Sequence, residues 1–133
     1  MSKQMILLVD DESAVLKVTK LRLEHCGYEV RTASDGEKAL EAAFSLAEKL
    51  DLILLDIKLP KMDGFQVFEQ LKKKPATSEI PVIVFTASSE SWRDLTDRCV
   101  ELGIADKIRK PFQSEELVEK VRRALKKEEV SGD

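Results

Sequence analysis

Residues 5–12 read Met-Ile-Leu-Leu-Val-Asp-Asp-Glu, and the break from apolar to acidic after Val9 decides how the whole chain is read. Five consecutive apolar residues are too few for a buried helix. They fit a parallel strand covered on both faces, which shows a continuous apolar run rather than an alternation. Three acids directly behind such a strand, Asp10-Asp11-Glu12, put charge at the strand end.

Similar runs recur at Tyr28–Thr32, Leu52–Leu55, Val82–Phe85 and, more weakly, Lys107–Ile108. Helical spacing fills the intervals. Leu16, Thr19, Leu23 and Cys26 form one stripe, and Leu40, Ala43, Ala47 and Leu50 a second. Trp92, Leu95, Cys99 and Leu102 form another, and Leu117, Val121, Ala124 and Leu125 mark the last helix. Ser13 and Ser114 are placed to cap helix starts, and Gly27 and Gly103 to end helices. Asp63-Gly64 marks a turn before the third helix, a turn that Asp63 shapes rather than a ligand site, and Pro75 and Pro81 bracket a loop. Five strand–helix units in alternation imply a doubly wound α/β fold with right-handed crossovers. The 133 residues suit one domain, taken as residues 4–127 with 128–133 as a frayed tail.

Bulk properties exclude more than they assign. The net charge of −3, from 22 basic and 25 acidic residues, argues against direct nucleic-acid contact by this domain. No stretch approaches the roughly 20 apolar residues that span a bilayer, and no signal region precedes the first strand, so no membrane is implied and the cytoplasm is expected. Cys26 and Cys99 sit on apolar stripes at no metal-ligand spacing and are expected to be buried free thiols. His25, the only histidine, falls at the end of the first helix and is expected to have a helix-end or surface role.

In an open parallel sheet, ligands bind beyond the carboxyl ends of the strands. Those ends carry Asp10-Asp11-Glu12, Asp56, Thr86-Ala87-Ser88 and Lys110-Pro111-Phe112. Three carboxylates converging at roughly 5 Å repel by about 3 kcal/mol per pair at an effective dielectric near 20. A divalent cation relieves that repulsion, and hard oxygen donors describe magnesium better than zinc. Lysine, hydroxyl and metal together suit the charged oxygens of a phosphoryl group in transfer.

Ile6–Glu12 (ILLVDDE), Asp51–Gly64 (DLILLDIKLPKMDG), Val84–Ala87 (VFTA) and Lys110–Phe112 (KPF), in this order and spacing, resemble the signature blocks of bacterial response-regulator receivers. The resemblance runs from about Gln4 to Lys127. It implies a flavodoxin-like (β/α)5 fold with strand order 2-1-3-4-5, the order for which a single-domain chemotaxis receiver is an established example. It also implies that Asp56 accepts a phosphoryl group and that Asp10 and Asp11 hold Mg2+, with the backbone carbonyl of Lys58 completing the metal site. Thr86 and Lys110 would contact the phosphoryl group, and the Lys110-Pro111 bond would be cis.

The implied donor is a histidine kinase or a histidine phosphotransfer domain. The implied output surface comprises the helix that begins near Trp92, the fifth strand and the last helix. It would serve a downstream effector the sequence does not name, and a phosphorylation-dependent homodimer is admitted. The domain would catalyse its own phosphorylation and dephosphorylation without being an enzyme in the ordinary sense.

Three other readings compete. An aspartyl-nucleophile phosphatase expects a second acid two residues after the nucleophile, where this chain has Lys58. A flavodoxin-like flavin binder wants a hydroxyl- and glycine-rich phosphate loop where Asp10-Asp11-Glu12 repels phosphate. A docking-only pseudo-receiver has no need of the complete acid, threonine and lysine set. Two departures from the receiver pattern stand out. Lys107 occupies a position that is usually aromatic, which puts the usual hydroxyl–aromatic coupling in doubt, and Lys58 adds a cation beside the site.

Overall fold

Each apolar run forms a strand: β1 (Met5–Val9), β2 (Glu29–Ala33), β3 (Leu50–Asp56), β4 (Val82–Thr86) and β5 (Asp106–Arg109). The computed structural model describes residues 3–87 and 91–130. All pairings are parallel and the sheet order is β2-β1-β3-β4-β5, as the resemblance implies. The helices are α1 (Ser13–His25), α2 (Gly36–Ser45), α3 (Gly64–Lys73), the single turn α4 (Pro75–Ser78), α5 (Trp92–Leu102) and α6 (Ser114–Val130). None of the described helices is long and apolar enough to cross a membrane.

The sheet has a core on each face. Alternate residues of β1 divide between them: Met5, Leu7 and Val9 face α2, α3 and α5, whereas Ile6 and Leu8 face α1 and α6. Because both faces are covered, β1 and β4 are buried along their whole length. Each fully buried Leu, Ile or Val side chain stabilises the fold by roughly 1.5–3 kcal/mol relative to exposure. β1 lies at the centre of the order with β3, so the Asp that follows β1 and the Asp that ends β3 are neighbours.

Several local expectations are corrected. The stripe Leu40–Ala43–Ala47–Leu50 is broken, because α2 stops at Ser45 and the amide of Leu50 closes a turn on the Leu46 carbonyl. Leu50 opens β3 opposite Met5, where the strand buries it as well as a helix would. The segment behind Pro75 is not purely a loop: proline at the first helical position costs no hydrogen bond, and one turn of helix forms. Ser13 is the first residue inside α1 and not its cap. Glu12 holds the cap position without a side-chain bond.

Cys99 is buried as expected, but Cys26 is exposed. The stripe of α1 ends at Leu23; Cys26 lies past the last turn, where Gly27 at φ 98° turns the chain away. Gly103 ends α5 in the same left-handed way. His25 is the last residue of α1 and exposed. Ser114 is the first residue of α6, which continues to Val130. Of the expected tail, residues 131–133 lie outside the described residues.

Candidate functional site

Asp10 leaves β1 fully buried, with no exposed surface, and Asp56 ends β3 with 3% exposed. The two carboxylates are held in the same way. Oδ1 of Asp10 accepts from the backbone N–H of Glu12 at 2.9 Å, and Oδ1 of Asp56 from the N–H of Lys58 at 3.1 Å. Each acid thus binds the amide two residues on, which fixes its rotamer and the turn behind it. Both Oδ2 atoms meet one ammonium: Lys110 Nζ lies 2.7 Å from Asp10 and 2.9 Å from Asp56. Glu12 stands 3.6 Å from the same ammonium at the solvent side.

Lys110 reaches this point from the turn after β5. Its amide donates to the Thr86 carbonyl at 2.8 Å, tying the end of β4 to the start of that turn, and the Lys110-Pro111 bond is cis. Thr86 itself is buried at the end of β4. Ser88, the last residue of the expected Thr86-Ala87-Ser88 strand end, lies outside the described residues.

The floor of the β3 exit depends on Gly64. Its N–H donates to the Ile57 carbonyl at 2.7 Å, and a Cβ there would stand 2.5 Å from the Asp56 carbonyl oxygen. Only glycine lets α3 begin so close behind Asp56. Asp63 caps that helix, accepting from Gln66 N while the Gln66 side chain accepts from Asp63 N. The expectation that Asp63 shapes the turn holds.

Electrostatics set the two buried acids against each other. Burial pushes the Asp56 carboxyl up to about 6, and the Asp10 charge adds to that. The Lys110 ammonium and the Lys58 amide pull the other way without cancelling it. Burial lowers Lys110, but the hydrogen bonds and charges of Asp56 and Asp10 together outweigh it and hold the ammonium above its ordinary range. The effects agree: one ammonium compensates two carboxylates incompletely.

A third acid, exposed Asp11, completes a cluster in which one oxygen from each of Asp10, Asp11 and Asp56 lies within 4.8 Å of the others. The donor set is all carboxylate oxygen. Each oxygen has two lone pairs, and the bonds above engage one on each oxygen of the two buried acids, so room to coordinate remains. These residues fit a hard divalent cation of the magnesium type.

Beside the acids runs an open apolar groove of about 510 Å³, lined among others by Val15, Val18, Lys110, Pro111 and Phe112. Val18 is 67% exposed there although it is a large apolar residue.

Residues 6–122 match the family described as response regulator receiver domain. The chain belongs to this family. Among relatives, the Bacillus subtilis alkaline phosphatase synthesis transcriptional regulatory protein PhoP is 40% identical over 127 residues, covering 96% of this chain and 50% of that one. The chain therefore spans about half the length of the curated relatives it matches. A receiver domain from Clostridium thermocellum superposes with TM-score 0.85 at 28% identity, over 96% of this chain and 98% of that one. Vibrio cholerae chemotaxis protein CheY4 superposes with TM-score 0.84 at 27% identity, over 93% of this chain and all of that one.

Within this receiver, the two departures noted in the sequence occupy definite places. Lys107 and Arg109, two apart on β5, both direct cations at Trp92, with Lys107 Nζ 4.9 Å and Arg109 Cζ 4.6 Å from its ring. The aromatic partner of this corner thus comes from α5 instead of β5. Lys58 is exposed, and its amide, not its ammonium, makes the recorded bond to Asp56.

Two contributors carry no signal of their own in the sequence. Glu12 is one of a run of acids, and nothing there marks its approach to Lys110. Phe85 is one residue of an apolar strand, yet lies under the Lys110 ammonium. No local pattern signals such a contact, because it joins residues 25 apart in the chain.

Proposed function

We propose that this receiver accepts a phosphoryl group on Asp56 from a phosphohistidine donor, a histidine kinase or a histidine phosphotransfer domain, in a reaction that requires Mg2+. What carries the reading is the convergence of the Asp10, Asp11 and Asp56 carboxylates at the carboxyl edge of the sheet, the two buried ones sharing the Lys110 ammonium. Lys58 stands where an aspartyl phosphatase needs an acid, and a docking-only domain has no use for two buried carboxylates held against their own repulsion.

One Asp56 carboxylate oxygen attacks phosphorus, an O–P bond forms as the N–P bond of the donor breaks, and the departing imidazole takes its proton from solvent. Asp10 and Asp11, with the Asp56 carboxylate and the Lys58 carbonyl, would hold the Mg2+, which supplies positive charge to the phosphoryl oxygens. Lys110, already at hydrogen-bond distance from Asp56, pairs with a phosphoryl oxygen as the carboxylate charge moves outward. Thr86 offers its hydroxyl from the neighbouring strand end. The apolar groove beside Lys110 gives the donor a surface next to the acceptor. In the phosphorylated state Thr86 and Lys110, joined through one backbone hydrogen bond, move as a pair. They thereby bias the α5–β5–α6 surface, where an effector or a second copy of the chain would bind.

Intact-protein mass spectrometry after treatment with a small phosphodonor and Mg2+ tests the assignment. One phosphoryl group is expected on the parent and none on Asp56→Asn; equal labelling of the two would overturn it.

A further inference from the structure

We infer that Phe85 is a positioning residue for phosphoryl transfer, acting through Lys110; the inference rests on the phosphoacceptor reading above. Lys110 has a four-carbon stem with free rotation at each bond, yet its ammonium must stay where the phosphoryl oxygens arrive. In the unphosphorylated protein Asp10 and Asp56 hold it. Forming the acyl phosphate turns one of those carboxylates into an ester-like oxygen, so the ion pair that fixed Lys110 is altered by the reaction it serves. Asp10 alone then pulls on the ammonium, and a second contact that the chemistry leaves unchanged keeps it in line with the phosphoryl oxygens.

The ring of Phe85 provides one. It is 2% exposed, on the face of β4 that packs toward α1 and α6 with Ile6, Leu8 and Ile108. The Lys110 ammonium lies 5.0 Å from its centroid, inside the range in which a cation is attracted by the ring quadrupole. Phe112, from the same turn as Lys110, meets the same ring edge-on, with centroids 6.2 Å apart and planes at 85°. One buried ring therefore seats two residues of the turn that delivers the lysine. Backbone register adds to this: Phe85 pairs with Asp56 in β3 and with Ile108 in β5, and its carbonyl accepts from Ile57 N at 3.1 Å. The ring is thus fixed relative to the acceptor strand and the lysine strand at once. An aliphatic residue would fill the space as well, but would offer the ammonium no negative face.

The test measures the rate of phosphorylation by a small phosphodonor with Mg2+ across donor concentrations, on the full chain. Phe85→Leu is expected to lower the maximal rate about three- to tenfold, at an unchanged half-saturating donor concentration. Phe85→Tyr, which keeps the ring, should retain the parent rate. In a Lys110→Ala background, adding Phe85→Leu should cause no further loss, because the residue acts through the lysine. If Phe85→Leu fails to fold, as a thermal melt would reveal, Phe85→Met takes its place in the same comparison. An equal loss in both backgrounds would show general support of the fold and overturn the inference, as would a Phe85→Leu rate equal to the parent. A parent that takes up no phosphoryl group overturns the phosphoacceptor reading with it, whereas a labelled parent with an indifferent Phe85 overturns this inference alone.

Discussion

β3 carries an aspartate near each end, Asp51 and Asp56, and the two have little in common beyond the strand. Asp51 is half-buried at the amino edge, where its Oδ2 accepts from the Met5 amide at 2.8 Å. It shares its surroundings with Lys3, Arg31 and Lys49, which face solvent-accessible space. Asp56, five residues on, is buried against a second carboxylate and shares one ammonium with it. An acid at the edge of a sheet is therefore ordinary when water and several cations attend it. It becomes chemically distinctive when like charge is concentrated where water is excluded. At the amino edge the aspartate ties two strands together; at the carboxyl edge two aspartates are held against one ammonium.

The largest effect separating the two is all-or-none. Asp51→Asn should leave labelling by a small phosphodonor at one group per chain and cost about 1 kcal/mol of stability for a weakened hydrogen bond. Asp56→Asn should lose the label entirely. Labelling lost in both variants would erase the distinction, and mass spectrometry on the pair decides.

The carboxyl-edge half of this contrast is legible in the sequence, and for a physical reason. Continuous apolar runs broken by acids read as parallel strands, and parallel strands place their ends at one edge, so Asp10, Asp56, Thr86 and Lys110 had to be neighbours. Spacing could not separate competing local uses of the same residues. Leu50 suits a helix stripe and a strand equally, and β1 pairing took it. Cys26 continues the period of α1 but lies beyond the turn at which Gly27 ends it. Nor does sequence say what a long cation rests on. Lys107 and Arg109 meet Trp92, and Lys110 meets Phe85, through contacts between separate elements that no local pattern encodes.

Next in size is the cost of the buried charge without metal. An acid whose folded pKa of about 6 lies above its ordinary 3.8 keeps its proton longer in the folded state than in the unfolded one. Between those values the folded state binds more protons, so stability falls as pH rises from about 4 to 6 and the loss persists above. At pH 7.5 Asp56→Asn should be more stable than the parent by on the order of 2 kcal/mol, a rise in Tm of roughly 5–8 °C. The gap should close as pH is lowered toward 4. A parent as stable as Asp56→Asn at pH 7.5, in chelator-treated buffer, would mean that Lys110 already compensates both acids.

Magnesium should act on the same quantity with a smaller amplitude. Ligand present at tenfold over its Kd stabilises by about 1.4 kcal/mol, which a thermal melt resolves. The rise is expected for the parent and for Asp51→Asn, and should shrink in Asp11→Ala and Asp56→Asn. An undiminished rise in Asp11→Ala would place the cation elsewhere.

The smallest effect carries the comparison over to β5, whose two lysines repeat it. Lys110, past the strand end, meets buried acids; Lys107, within the strand, is partly exposed, its ammonium lies over the face of Trp92, and its carbonyl accepts from the Lys120 ammonium at 2.6 Å. A cation over an accessible ring contributes about 0.5–1 kcal/mol, and Arg109 remains on the same ring when Lys107 is removed. Lys107→Met should therefore cost less than 1 kcal/mol and leave phosphorylation at one group per chain. Its effect should instead appear in the emission of Trp92, the only tryptophan in the chain, because one of the two charges beside the indole is gone. If phosphorylation draws Thr86 and Lys110 inward, β5 shifts against α5, and beryllofluoride with Mg2+ should alter Trp92 emission in the parent more than in Lys107→Met. Hydrogen exchange should change at 91–93 and 107–112, and Lys107→Tyr, which restores a ring to β5, should alter that pattern without changing the stoichiometry. Exchange changes confined to 56–64, with Trp92 emission indifferent to beryllofluoride, would mean that the charge at the carboxyl edge of β3 is not felt at β5.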